Sequence, residues 1–304
     1  MPAPRIAIYP DGAPPWFEEA VVAGGGTAVP LEEAEALVWA HPSDRDGLAR
    51  AVGGHAGLRW VQLPWAGIEP YRDVIDEQRL WTCAKGVYAE PVAELALTLL
   101  LAGLRGGVRY ARADRWTGQF GTSLFDGRVT IVGGGGIAEV LARLLVPFRA
   151  QVTVVRRHPA PMDHVAEVVA TEDLHAALRG ADGVVLALAL VPDTVGLIGR
   201  AELDAMEDHA WLVNVARGGH IVTDDLVDAL RAETIGGAGL DVTDPEPLPD
   251  GHPLWSMPNC VITPHVGNTQ AMAKPLLSAR ITENVRRWAA GEELLGPVDP
   301  SLGY

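Results

Sequence analysis

The sequence predicts an α/β protein built on parallel sheets and divided into two domains. Three observations predict it. Short apolar runs alternate with helical patterns along most of the chain, which is the mark of βαβ units. The runs VTVV, VVLALAL and WLVNV are continuously apolar, as strands covered on both faces by crossover helices must be. The length of 304 residues suits two cores of the usual ~100–200 residues each.

In chain order, RIAIY at 5–9 reads as a strand closed by a turn at Pro10-Asp11-Gly12. WFEEAVVAGG reads as a helix, ALVWA as a strand, DGLARAVGG as a helix and LRWVQL as a strand. A long helical pattern covers 92–105, with Glu94 near its start and Gly106-Gly107 past its end. The first domain crossing is expected there. Residues 108–127 mix polar, aromatic and glycine positions and suit a loop or a protruding arm. Strands are then expected at 128–132, 151–155, 183–190, 210–215 and 237–241. Helices are expected at 137–148, 171–179 and 223–232, and a helix at 271–288 would return the chain to the first domain. The expected domains are therefore 1–97 with 272–304, and 98–271.

Composition removes several classes of function. Hydrophobic residues make up 48% and charged residues 21%, which excludes a disordered chain and permits a sizeable core. A net charge of −15 argues against nucleic acid and anionic membranes, because phosphates need lysine and arginine. Cys83 and Cys260 stand far apart without a CxxC, so neither a disulfide framework nor a metal site is expected. The N-terminus lacks a leader pattern, and no run approaches the ~18 apolar residues of a membrane helix. A cytoplasmic location follows by elimination.

Four segments could carry chemistry. TIVGGGGIAEVLARLL, from Thr130, places Gly133, Gly135 and Ala138 at the positions of GxGxxG, with Gly136 and Ile137 opening the helix. A flexible turn would explain the glycines alone. With a strand before and a helix after, the pattern is that of a dinucleotide site. The first glycine makes the turn, the second admits the pyrophosphate, and the small third residue packs helix on strand. In NVARGGHI, Arg217 stands at the carboxyl edge of a strand, where ligands of open sheets bind, and its planar fork suits a carboxylate. Taken alone, such an arginine is more often a structural ion-pair partner. LDVTDPEPLPDGHPLW carries Glu246, and ITPHVGN carries His265. A single histidine is usually a packed or surface residue, yet imidazole is the side chain best able to exchange a proton near neutrality. A carboxylate such as Glu246 would hold its ring.

Together the blocks GVYAEPVAELALTLLLAGLR, VGGGGIA, ALALVPDTVGLIG, NVARGGHIV, GAGLDVTDPEPL and TPHVGNT resemble the D-isomer-specific 2-hydroxyacid dehydrogenase family. The resemblance covers nearly the whole chain. It implies two Rossmann-like, doubly wound domains with the active site in the cleft between them, and a homodimer. It implies hydride transfer between a nicotinamide dinucleotide and a small 2-keto or D-2-hydroxy acid, with glyoxylate and hydroxypyruvate as first candidates. Arg217 matches the substrate-binding arginine, Glu246 the carboxylate partner and His265 the acid/base. Ile137, Pro192, Val215 and Asp241 match cofactor-lining positions. Ala66 and Gly67, in WAGIE, match the loop whose N–H groups hold the substrate carboxylate. Trp65 departs from the small residue usual there, and the sequence ends at Tyr304 without an added regulatory domain. A corepressor-like dinucleotide sensor and a phosphoglycerate dehydrogenase-like enzyme are the competing readings. A formate dehydrogenase is disfavoured because that subfamily pairs its histidine with glutamine.

The cofactor expectation departs from the simplest family pattern. An NAD site carries a carboxylate at the end of the second strand, ~20 residues past the glycine motif. Here VTVV is followed by Arg156 and Arg157, and 156 − 138 = 18 residues separate Arg156 from Ala138. Guanidinium groups suit a 2′-phosphate, so NADP is expected, with NAD as the alternative. Two adjacent residues leaving a strand point in different directions, and Arg156 is expected to make the main contact. The apolar helix before Gly106, with Tyr110, Trp116, Phe120 and Phe125 after it, makes 100–127 the expected dimerisation arm.

Overall fold

The structure is a computed structural model that describes residues 2–41 and 43–299. The chain divides into two units at Tyr88/Ala89 and again at Asn268/Thr269.

The first unit opens with β1 (Arg5–Tyr9), α1 (Trp16–Ala23), β2 (Thr27–Ala28), β3 (Ala36–Trp39), α2 (Arg45–Gly53), β4 (Trp60–Gln62) and β5 (Leu80–Thr82). Its five strands are all parallel, in the order β2-β1-β3-β4-β5. The start of α2 is set by Asp44, whose carboxylate accepts from the Gly47 N–H at 2.8 Å and so occupies one orphan donor of the first turn. Leu37, Trp39, Leu48, Val61 and Leu63 are almost wholly excluded from water and form the core over one sheet face.

The second unit begins with α3 (Ala89–Leu104) and α4 (Gly107–Ala111), then β6 (Arg128–Val132), α5 (Gly136–Leu145), β7 (Gln151–Val155) and β8 (Glu167–Val169). It continues with α6 (Leu174–Leu178), β9 (Gly183–Leu186), α7 (Arg200–Ala205), β10 (Trp211–Asn214), α8 (Thr223–Arg231), β11 (Gly237–Leu240), α9 (Pro253–Ser256) and β12 (Cys260–Ile262). Seven parallel strands lie in the order β12-β11-β10-β9-β6-β7-β8. Counted from β6 this is the 3-2-1-4-5-6 order of a dinucleotide-binding sheet with a seventh strand added, and the order reverses between β6 and β9. The expected α/β fold with two parallel sheets is therefore present. Helix α5 buries Ala138, Leu141, Ala142 and Leu145, a stripe at helical spacing that seats it on the sheet.

The chain then returns to the first unit as α10 (Gln270–Ala290), which packs on α1. The buried Asn284 amide of α10 donates to Gln62 Oε1 at 2.8 Å and to the Leu295 carbonyl at 3.0 Å, so the returning helix is bonded to the sheet as well as packed.

Some boundaries differ from the sequence reading. All of α3 packs with α5, β10 and β11, so the crossing falls at residue 88 rather than 97, and the return falls at 268 rather than 271. The expected helix 137–148 ends at Leu145, because Pro147 lacks the N–H to continue it and a single 3₁₀ turn follows. The expected strand 183–190 stops at Leu186, and residues 187–191 leave the sheet as a loop. Residues 112–125 form a loop in which the Tyr110 hydroxyl accepts from the Phe120 N–H at 2.6 Å, and Trp116 is fully exposed. Both cysteines are buried and free; burial pushes the Cys260 thiol up to about 12. Among the described residues no helix is long and apolar enough to cross a membrane.

Candidate active site

The glycine turn follows β6, at the point where the strand order reverses. Gly133 has φ of 113°, a conformation L side chains rarely adopt, and a Cβ there would lie 2.2 Å from the Ala187 carbonyl oxygen at the end of β9. Its N–H donates to the Val155 carbonyl at 2.8 Å, which fixes the turn to β7. Gly135 caps α5 with extended backbone and no capping side chain, and a Cβ there would meet nothing within 4 Å. Space is thus open beside Gly135 at the positive end of a ten-residue helix. Ala138 is fully buried under that turn. This cradle fits a dinucleotide pyrophosphate.

The two arginines after β7 diverge. Arg157 reaches the Asp193 carboxylate, with 3.7 Å between charged atoms. Arg156 folds back towards the glycine turn, its Cδ 2.8 Å from where a Gly134 Cβ would stand, and no carboxylate among the described residues pairs with it.

Arg217 leaves β10 through Val215, which is buried, and Ala216. Buried Asn214 sets this loop: its Nδ2 donates to the Arg217 carbonyl at 2.8 Å and its Oδ1 accepts from Ala216 N–H at 3.0 Å. Gly218 follows because a Cβ there would lie 2.0 Å from the Thr243 carbonyl group. That close approach packs the Arg217 loop against the segment after β11, which carries Glu246. Thr223 strengthens the same junction by donating to the Asp244 carbonyl at 2.7 Å.

The structure brings Glu246 and His265 together, with 2.6 Å between Oε1 and Nδ1. A carboxylate only accepts, so Nδ1 carries the hydrogen and Nε2 is the ring atom left for proton exchange. Both side chains are about half-exposed. His265 has φ of 53°, unusual for a residue with a side chain, and its surroundings over-determine it. The Asp241 carbonyl accepts from the His265 N–H at 2.8 Å, and the Asp241 carboxylate accepts from Thr263 Oγ1 at 2.6 Å and from the Val266 and Gly267 N–H groups at 2.9 Å each. Asp241 thus shapes the turn that presents the histidine.

Pro192 opens the 3₁₀ turn Pro192–Thr194 beyond β9. His220, which the sequence reading did not single out, ties this turn to the Arg217 loop. It is fully buried, with Nδ1 3.0 Å from the Thr194 carbonyl oxygen and Nε2 3.3 Å from that of Leu188. It was visible in NVARGGHI, but nothing in the sequence marks its partners. Ala66 and Gly67 belong to the first unit, in the loop after β4. Tyr88 shapes that loop by donating its hydroxyl to the Pro64 carbonyl at 2.7 Å, and Trp65 packs edge-on against the Tyr88 ring at 5.7 Å. Among the described residues no cluster of His, Cys, Asp or Glu is placed to hold a metal.

A glycine turn shaped for a dinucleotide, with Arg217 and the His265–Glu246 pair also borne beyond the carboxyl ends of the same sheet's strands, suits a nicotinamide-dependent oxidoreductase. Residues 95–267 match the family described as D-isomer specific 2-hydroxyacid dehydrogenase, NAD binding domain. A Corynebacterium melassecola protein, described as an uncharacterized protein in the proB 3′ region, is 39% identical over 81% of this chain and 84% of its own length. The human glyoxylate reductase/hydroxypyruvate reductase is 35% identical over 68% of this chain and 66% of its own. The solved D-isomer specific 2-hydroxyacid dehydrogenase of Xanthobacter autotrophicus Py2, in complex with NADPH and MES, superposes with a TM-score of 0.86. It shares 27% identity over 99% of this chain and 100% of its own. The chain belongs to the D-isomer specific 2-hydroxyacid dehydrogenase family, whose members are NAD(P)-dependent oxidoreductases.

Proposed function

We propose that the protein reduces a small 2-keto acid, such as glyoxylate or hydroxypyruvate, to the D-2-hydroxy acid, with NADPH preferred over NADH. The observation that carries the reaction is the 2.6 Å Glu246–His265 pair. A reduced nicotinamide dinucleotide, when bound, supplies the hydride. The protein's residues do the rest. The Arg217 guanidinium holds the keto acid through paired hydrogen bonds and draws charge towards the carbonyl oxygen. His265 gives its Nε2 proton to that oxygen as negative charge develops, while Glu246 holds the ring at Nδ1. Ala66 and Gly67 offer backbone N–H groups to the substrate carboxylate. Gly133, Gly135 and Gly136 cradle the pyrophosphate, and Ile137, Pro192, Val215 and Asp241 line the cofactor.

The NADPH preference rests on Arg156, which no described carboxylate pairs and which lies beside the cradle. Arg157, engaged by Asp193, plays the lesser part. The human relative's substrates and the NADPH held by the Xanthobacter protein agree with this reading. We further propose a homodimer formed through residues 100–127, where Trp116 stands fully exposed, and a cytoplasmic location suited to two free thiols. Turnover of a panel of 2-keto acids with NADPH and with NADH at fixed ionic strength tests substrate and cofactor together. No turnover of any 2-keto acid would reject the reaction, and kcat/KM equal or higher with NADH would reject the preference. Sedimentation showing only a 32.3 kDa species at micromolar concentration would reject the dimer.

A further inference from the structure

The glycine run after β6 contains one glycine that the turn does not explain. Gly133 is required by its φ and by the Ala187 carbonyl, and Gly135 lies at open space where a ligand would approach. Gly134 lies between them, and its backbone is not in the left-handed region, so an L residue could adopt it. What meets a Cβ at Gly134 is the Arg156 side chain alone among its three nearest atoms: Cδ at 2.8 Å, Nε at 3.0 Å and Cζ at 3.3 Å.

Arg156 is placed to take this position by the sheet. β6 and β7 are adjacent and parallel, with Val132 paired to Val155, so both chains leave the sheet side by side. The Arg156 N–H donates to the Val169 carbonyl at 3.0 Å, which fixes its backbone against β8's end. Its side chain then has two ways to go. Outward it would be a solvated cation. Across the turn, it covers bare backbone that only a glycine leaves uncovered. In that second position the guanidinium lies beside the cradle, against Gly134. Arg157 does not compete for the space, because it is directed to Asp193.

We propose that Gly134 is a cofactor-specificity-determining residue. By lacking a side chain it seats Arg156 across the phosphate-binding turn, where the guanidinium receives the 2′-phosphate of NADPH. This rests on the NADPH reading given above. Gly134 acts through Arg156, and is therefore a positioning residue. A methyl group at 134 pushes the Arg156 stem off the turn while leaving the N–H groups of the cradle in place. Affinity for the 2′-phosphorylated cofactor falls, and affinity for NAD does not.

The test compares wild type, Gly134→Ala, Arg156→Gln and the double variant. Dissociation constants for NADP⁺ and NAD⁺ are read by calorimetry, and kcat/KM with NADPH and NADH on one keto acid. Gly134→Ala is expected to weaken NADP⁺ binding about tenfold, the size of one charge-assisted contact, with NAD⁺ changed less than twofold. In the Arg156→Gln background, Gly134→Ala is expected to add little, since both changes remove the same contact. Equal weakening of both cofactors by Gly134→Ala would overturn the proposal and make Gly134 a turn residue only. An unchanged NADP⁺ constant in Gly134→Ala, with Arg156→Gln selectively impaired, would overturn it while leaving the NADPH reading intact. Arg156→Gln without selective loss of NADP⁺ would overturn both. Thermal unfolding without cofactor checks the fold of each variant, and Gly134→Ser serves as a second probe of the same space.

Discussion

The two units use the same strand–turn–helix opening, and only one of them can hold an anion there. In the second unit β6 leads into α5 through Gly133, Gly134 and Gly135. In the first, β1 leads into α1 through Pro10, Asp11, Gly12, Ala13, Pro14 and Pro15. Each proline removes the N–H that an anion would need. Helix α1 then places two acidic residues, Glu18 and Glu19, in its first turn, where their charge already answers the helix dipole, against one, Glu139, in that of α5. A parallel sheet and a helix do not make a phosphate site. The composition of three to six turn residues does, and here it assigns the dinucleotide to the second unit. The first unit's sheet, with its β2-β1-β3-β4-β5 order, is scaffold for the Pro64–Gly67 loop.

This difference makes predictions, of which the largest concerns chemistry apart from the cradle. His265→Ala should lower kcat/KM for keto-acid reduction by about 10²–10⁴-fold, while NADP⁺ binding measured by fluorescence or calorimetry stays near wild type. Near-normal turnover in His265→Ala would remove the histidine from the mechanism. Arg217→Lys keeps the charge and loses the fork, so reduction should fall by about tenfold or more, the size of one lost charge-assisted bond. Unaltered kinetics would make Arg217 structural.

A matched pair of substitutions sharpens the comparison itself. Gly12 and Gly133 both have positive φ, 83° and 113°. A Cβ at Gly12 meets nothing within 4 Å, whereas one at Gly133 meets the Ala187 carbonyl at 2.2 Å. Gly12→Ala should cost about 1–2 kcal/mol of stability from backbone conformation alone and leave dinucleotide binding unchanged. Gly133→Ala should displace the turn and weaken both NADP⁺ and NAD⁺ by about tenfold or more, equivalent to at least ~1.4 kcal/mol. Similar binding constants for the two variants would erase the distinction between the loops.

What could be read from the sequence follows the same physics. Strands β7, β9 and β10 were legible because burial on both faces makes them continuously apolar. The glycine turn was legible because its backbone tolerates no Cβ at Gly133. Strands β2, β5 and β8 were not. Thr27–Ala28 and Leu80–Thr82 are two and three residues long, too short for any period to register, and Glu167–Val169 begins with an exposed charge at the sheet edge. At the candidate site, the sequence singled out Arg217, Glu246 and His265 by residue type, and the structure brings the last two together. Residues that act through close approach were not singled out. The contact of Gly134 with Arg156 and the bonds of His220 to Leu188 and Thr194 join segments distant in the chain, and no local pattern encodes them.

The smallest effect belongs to the first unit and to stability alone. On α10, Glu283 accepts two hydrogen bonds from Arg286 at 2.9 Å each and one from Arg287 Nε at 2.7 Å, and Arg286 also donates to Glu292. The bonds from Arg286, and then the one from Arg287, hold the Glu283 carboxyl down at about 2, against an ordinary value of 4.5. A carboxyl lowered by folding stabilises the folded state above its unfolded value, and that stabilisation is lost as pH falls. The window here runs from about 4.5 down to about 2. The side chains of the cluster are partly exposed, so water and salt screen it and the effect is small. Thermal unfolding of wild type and Glu283→Gln should therefore show a modest advantage for wild type near pH 6 that shrinks as pH falls below about 4.5 and fades in high salt at any pH. Kinetics and both cofactor constants should match wild type throughout, because the residue lies on the helix that braces the scaffold unit. A difference between the two proteins that grows on acidification would show that the Arg286–Glu283–Arg287 cluster does not stabilise α10.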